Sequence, residues 1–136
     1  MKPLQVTLSF SPADVNPSWL RNFYKALIAN GIRIAGGYSP RDSTNPNQFG
    51  RALRESDAVL FLVGAQSMNS PFVAFEMGAA LAQEKKLIPI AAGDLPKSRW
   101  PGPLRARRAL PQRSAAATAA EVAVELGVTQ NQAAAG

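Results

Sequence analysis

Neither cysteine nor histidine occurs in the 136 residues. Thiol nucleophiles, imidazole general bases, disulfides and Cys/His zinc sites are therefore excluded, so any catalysis must rest on carboxylates, hydroxyls, amines or a bound cofactor. Acidic residues are also scarce, nine Asp and Glu against fifteen Lys and Arg, for a formal charge of +6. Much of that excess lies in one segment holding Lys97, Arg99, Arg105, Arg107, Arg108 and Arg113. It reads as a solvated basic loop, and no nucleic-acid partner is expected. Long apolar runs are missing as well. None approaches the roughly eighteen residues of a membrane span, and the N-terminus lacks the basic start and continuous apolar stretch of a secretory signal. The expectation is a soluble, cytoplasmic protein with no membrane partner.

What is present suits one globular core: 46% of residues are apolar and 18% charged, in a length that favours a single domain. Leu4, Val6, Leu8 and Phe10 alternate with polar or small residues, the period of a strand. Asn16 and Pro17 then open a helix whose Trp19, Leu20, Phe23, Leu27 and Ile28 share one face, and Gly31 closes it. Ile32 to Ile34 allows only a short strand. Gly36, Gly37, Pro40, Asn45 and Pro46 mark a long polar loop containing Tyr38, Arg41 and Asp42. Asn45 and Pro46 repeat the cap-plus-proline signature, predicting a short helix to about Glu55 with Phe49 and Leu53 inward.

The apolar runs Ala58 to Val63 and Lys86 to Ala91 read as buried strands, and Pro89 makes the second an edge strand or a distorted one. Residues 93 to 113 show no clear period, although Leu104 to Leu110 has room for a short strand. Ser114 caps an alanine-rich helix in which Val122 and Leu126 are one turn apart and Gly127 is a stop. Residues 128–136 read as a frayed tail, leaving the domain at 1–127. Strands alternating with helices predict an α/β fold with a mainly parallel sheet covered on both faces and ligands at the strands' carboxyl ends.

The stretch from Ser70 to Gln83 organises the rest. Ser70 caps a helix, Pro71 fits its first turn, and Glu76 is the one carboxylate in an otherwise uncharged run. Phe72, Glu76 and Ala80 form one stripe, with Val73, Met77 and Leu81 beside it, while Gly78, Ala79 and Ala80 thin the helix for close packing on a sheet. The topology gathers Ser9, Phe10, Ser11, Tyr38, Arg41, Ser67, Phe72 and Glu76 along one edge, with Glu76 close to solvent. An aromatic floor, a cation, hydroxyls and one carboxylate are the inventory for binding a nucleotide and touching its ribose. On the residues alone, a structural hydrogen bond near a helix start explains Glu76 equally well.

The run Ser-Pro-Phe-Val-Ala-Phe-Glu-Met-Gly-Ala-Ala-Leu at 70 to 81 is preceded by Ser-Asp-Ala-Val-Leu-Phe-Leu at 56 to 62 and followed by Lys-Leu-Ile-Pro-Ile at 86 to 90. Together these resemble the Toll/interleukin-1 receptor (TIR) domain, particularly its bacterial members. Val6 to Ser11 with Asp14 is similar to the family's first strand and following acidic residue, and the loop with Arg41, Asp42 and Pro46 to its BB loop. The resemblance covers about residues 4 to 92. It implies a flavodoxin-like three-layer sandwich with a mainly parallel central sheet. For many bacterial and plant members it also implies cleavage of NAD+ at the nicotinamide to ribose bond by a glutamate on the third helix, the position of Glu76. NAD+ is then a substrate rather than a cofactor, no metal is required, and packing of neighbouring TIR domains often orders the BB loop. The family's aromatic residue four before the glutamate is usually tryptophan; Phe72 keeps the stacking face without the indole donor. Two further readings are a non-catalytic TIR adaptor acting through homotypic contacts and a nucleoside deoxyribosyltransferase-like enzyme, whose glutamate attacks the sugar directly.

Overall fold

A computed structural model describes residues 3–36 and 46–128, and among them lie five parallel strands and five α-helices. The strands are β1 (Leu4–Ser9), β2 (Ile32–Gly36), β3 (Ala58–Val63), β4 (Lys86–Ala91) and β5 (Leu110–Pro111). Between and after them run α1 (Pro17–Ala29), α2 (Pro46–Glu55), α3 (Pro71–Ala82), α4 (Gly102–Arg105) and α5 (Ala115–Glu125). The sheet order is β2-β1-β3-β4-β5, the doubly wound, flavodoxin-like order. Because the chain first adds β2 on one side of β1 and then β3 on the other, the order reverses between β1 and β3. Such a reversal opens a crevice at the carboxyl ends of those two strands.

Three helices, α1, α3 and α5, begin at side-chain caps. Asn16 Oδ1 accepts from the backbone N–H of Ser18 at 2.8 Å and of Trp19 at 3.1 Å, Ser70 Oγ from Val73 N–H at 3.3 Å, and Ser114 Oγ from Ala117 N–H at 3.2 Å. These satisfy amide donors that a first helical turn leaves unpaired. Asn45, the expected cap of α2, lies outside the described residues, as do Tyr38, Arg41 and Asp42 in the polar loop and positions 129–136 of the tail.

Two apolar layers sandwich the sheet. On one side Phe23 and Leu27 of α1 and Ala119, Val122 and Ala123 of α5 cover Val6, Leu8, Leu60, Leu62 and Ile88. Across the sheet, Leu53 of α2, Val73, Met77 and Ala80 of α3, and Trp100 and Leu104 cover Val59, Phe61, Val63 and Leu87. Ile28 leaves the stripe expected for it: the buried face of α1 centres on Phe23 and Leu27, and Ile28, 100° round from Leu27, is 63% exposed.

Three expectations change. First, β4 is an interior strand, pairing with β3 from Lys86 to Ala91 and with β5 at Ile90 and Ala91. Pro89 is tolerated because β5 reaches only the residues after it. Second, the segment from Lys97 to Arg113 keeps Lys97, Arg99, Arg105, Arg108 and Arg113 exposed, as a solvated basic stretch should, but it is not all loop: it holds a 3-10 turn, α4 and β5. Trp100 and Leu104 are buried, Trp100 Nε1 donates to the Leu95 carbonyl at 3.1 Å, and Lys97 Nζ to that of Arg107 at 3.0 Å. Lys97, Arg105 and Arg107 thus satisfy carbonyls of their own segment, Arg108 and Arg113 pair with Glu125 and Glu121 of α5, and the short strand sits at the segment's end, in β5. Third, Gly78 does not help α3 approach the sheet: it is exposed, and a Cβ there would meet nothing within 4 Å, whereas Ala80 is fully buried.

Candidate active site

Glu76 lies two turns into α3, on the side that Val73, Met77 and Ala80 press against the sheet. Instead of standing near solvent it is 2% exposed. Its helical phase turns it inward, where β1 supplies a polar side chain in place of an apolar one. Ser9, the last residue of β1 and 1% exposed, donates its hydroxyl to Glu76 Oε1 at 2.8 Å. The other oxygen, Oε2, is buried with no hydrogen-bond partner among the described residues.

A carboxyl in such surroundings ionises with difficulty. Burial pushes Glu76 from its ordinary 4.5 up to about 7, and the Ser9 hydrogen bond opposes the rise. Near neutral pH the side chain therefore divides between its acid and carboxylate forms, the poise suited to a group that changes its interactions during a reaction.

The loop from β3 to α3 is built to hold this helix start. Asp14, in a turn of 3-10 helix at Pro12–Asp14, reaches across with Oδ1 accepting from Gln66 N–H at 3.0 Å and Oδ2 from Ser67 N–H at 2.7 Å. Gly64 makes the approach possible, since a Cβ there would lie 2.5 Å from Asp14 Cγ. Ser67, buried, folds its hydroxyl back on its own turn, accepting from Gly64 N–H at 2.9 Å and donating to Gly64 C=O at 3.0 Å. The β1 and β3 ends are thereby tied together at the point where the strand order reverses.

Of the residues expected at the site, Ser9 and Glu76 touch. Phe72, one turn before Glu76, is 51% exposed, so the stripe containing both runs from solvent into the core. Phe10 packs, half-buried, against the cluster on the opposite side of the sheet, under α1 and α5. The Ser11 carbonyl accepts from Asp14 N–H at 3.0 Å, which sets the turn that aims Asp14. Tyr38 and Arg41 lie outside the described residues. A separate open depression of about 620 Å³ at the β2 edge, bordered by Tyr24, Ile28, Arg33 and Glu55 among others, includes none of these residues. The role of Asp14 escaped residue-by-residue reading; its place after the first strand, matching an acidic position of the resembled family, was the available signal.

No cluster of acidic side chains able to hold a metal ion occurs among the described residues, and no helix among them is long and apolar enough to cross a membrane. The strand order and helical layers define a doubly wound α/β protein, with the buried Glu76 carboxyl beside its switch point. A family model of the TIR domain matches residues 6–123, and the chain belongs to that family. No curated protein matches it. TIR domains commonly interact with one another and include NAD+-cleaving members.

Proposed function

We propose that the chain is a TIR-domain NAD+ nucleosidase with Glu76 as its catalytic residue, releasing nicotinamide and either ADP-ribose or a cyclic isomer. The observation that carries this reading is the Glu76 carboxylate itself, buried at the switch point with Oε1 held by Ser9 and Oε2 unpartnered. Burying a carboxyl with an oxygen unsatisfied costs of the order of 1 to 3 kcal/mol or more. A merely structural glutamate would be expected to fill both.

One carboxylate is enough for this reaction. When the bond between ribose C1′ and the pyridinium nitrogen breaks, its electron pair goes to nitrogen and nicotinamide leaves neutral, so no general acid is needed. The positive charge passes to the sugar, where a nearby carboxylate stabilises it, most strongly in a site without water. Water then adds at C1′ and releases a proton to give ADP-ribose; addition by the adenine nitrogen gives the cyclic product. Glu76 Oε2 accepts a ribose hydroxyl, Phe72 offers a face to a ring, and the ionised form of Glu76 acts. Since Glu76 has almost no accessible surface, the side chains around it must part to admit the substrate.

Assembly belongs to the proposal. Outside Glu76, α3 carries no charge, and its outer face exposes Phe72 at 51%, Phe75 at 53% and Leu81 at 39%. A helix apolar all round is normally covered on every side. The same observation favours a second reading, a signalling module that acts by homotypic TIR contacts without catalysis. Nicotinamide release from NAD+ at high protein concentration, followed beside light scattering, separates the two. Release by the assembled wild type and its loss in Glu76→Ala supports the enzyme. Equal inertness of both when assembled supports the module.

A further inference from the structure

Five buried hydroxyl side chains bear on this point, and four of them are spent on other hydroxyls or on backbone carbonyls. Thr7 and Ser56 share a hydrogen bond of 2.7 Å, and Ser56 donates to the Ala52 carbonyl at 2.7 Å. Ser67 donates to Gly64 C=O at 3.0 Å and Thr118 to Ser114 C=O at 3.0 Å. Ser56, Ser67 and Thr118 each stabilise a helix end or turn, and Thr7 ties β1 to the end of α2. Ser9 alone among the five reaches a carboxylate, and it does so between elements sixty-seven residues apart in sequence. Its one hydroxyl hydrogen is already committed to Glu76 Oε1.

The geometry points to Ser9 as the positioning residue of Glu76: its hydroxyl fixes Oε1, and the carboxylate is thereby turned so that Oε2 is the oxygen offered to a ligand hydroxyl. This rests on the proposed role of Glu76 and replaces the expected direct contact between Ser9 and substrate. β1 is well placed to do it, lying between β2 and β3 with Ser9 opposite Phe61 in the β3 register, so the donor sits on an interior strand of the sheet. A side chain with a single rotatable bond to its hydroxyl, on such a strand, holds its acceptor within a narrow range. Burial and Ser9 are the influences on the Glu76 ionisation, and no charged partner takes part among the described residues. Removing the hydroxyl therefore leaves the carboxylate both free to rotate and without its donor.

The test follows Glu76 directly, by carbon-13 resonance of side-chain-labelled glutamate, in ligand-free wild type, Ser9→Ala and Ser9→Thr, with Glu76→Gln identifying its signal among the five glutamates. Ser9→Ala is expected to raise the Glu76 midpoint by about one pH unit, the equivalent of one hydrogen bond to a charged group. Ser9→Thr, which keeps the hydroxyl, is expected to return it to within a few tenths. In nicotinamide release, Ser9→Ala should then lose about tenfold in kcat at pH 6.5, much less at pH 9, with little change in KM. An unchanged Glu76 midpoint in Ser9→Ala overturns the proposal, as does a rise in KM alone at every pH, the mark of a substrate contact. A shifted midpoint in a protein whose wild type releases no nicotinamide upholds the Ser9–Glu76 coupling and sinks the enzymatic reading instead.

Discussion

The two faces of the sheet are built by different rules. Under α1 and α5 the buried strand residues are all apolar, and the one buried polar side chain of the covering helices, Thr118, bonds within its own helix start. Under α2 and α3 the same central strand turns Thr7 and Ser9 inward, to meet Ser56 and Glu76. One face is a packing surface, and the other carries a line of hydroxyls ending at a carboxylate with an unsatisfied oxygen. Natural folds give up stability at sites where a group must act, so the difference separates the part of the molecule that holds the fold from the part available for chemistry.

Substitutions on the two faces should differ in sign as well as size. The largest effect is expected on the apolar face, where Phe23 is fully buried and stacks on Trp19 with ring centroids 4.8 Å apart. Phe23→Ala should lower the unfolding free energy by about 3 to 5 kcal/mol in urea titration, alike at pH 5 and pH 8.

On the polar face Glu76→Gln should do the reverse. With its folded midpoint near 7 and its ordinary value 4.5, Glu76 binds more protons folded than unfolded between those values. Its contribution is therefore fully present below pH 4.5 and is lost as pH rises through 7. The loss amounts to about 3 kcal/mol at most, so the Gln variant should exceed wild type by about 1 to 3 kcal/mol at pH 8 and match it at pH 4.5, read from urea midpoints.

Gly64→Ala should sharpen the same contrast from the loop. Asp14 cannot yield to a Cβ without releasing Gln66 and Ser67, so a loss of about 1 to 3 kcal/mol is expected, with freer amide exchange at Gln66 and Ser67. The smallest change is Gly78→Ala, on the exposed side of α3 with open space for the methyl, which should raise stability by up to about 1 kcal/mol in the same titration.

Much of the first face was legible in the sequence, because burial there follows period alone: Phe23 and Leu27 recur at helical spacing, and Val6 and Leu8 at strand spacing. The second face was not. Gln5, Thr7 and Ser9 give β1 the alternation of a strand with one wet side, yet Thr7 and Ser9 are at most 1% exposed. Polar residues facing a covered surface look the same in sequence as polar residues facing water, and only their partners distinguish them. Those partners, Ser56 and Glu76, come from distant segments, so no local pattern announces the pairing. Trp100 and Leu104 were obscured in another way: prolines and arginines around them hide two core anchors in a stretch without period. The position of Glu76 as the one carboxylate of α3 was plain from the start; its burial was not, since a lone charge in an apolar helix suggests an edge until a buried donor is found for it.

The claim that the polar face exists to present an ionisable Glu76 is tested most directly by the pH dependence of kcat/KM for nicotinamide release by assembled protein, measured at NAD+ well below KM. The account predicts a single rise between pH 5 and 9 with its midpoint near 7, absent from Glu76→Gln, because the carboxylate form acts and burial holds its ionisation there. A rate that falls as pH rises through 7, or one that persists in Glu76→Gln with the same profile, would contradict it.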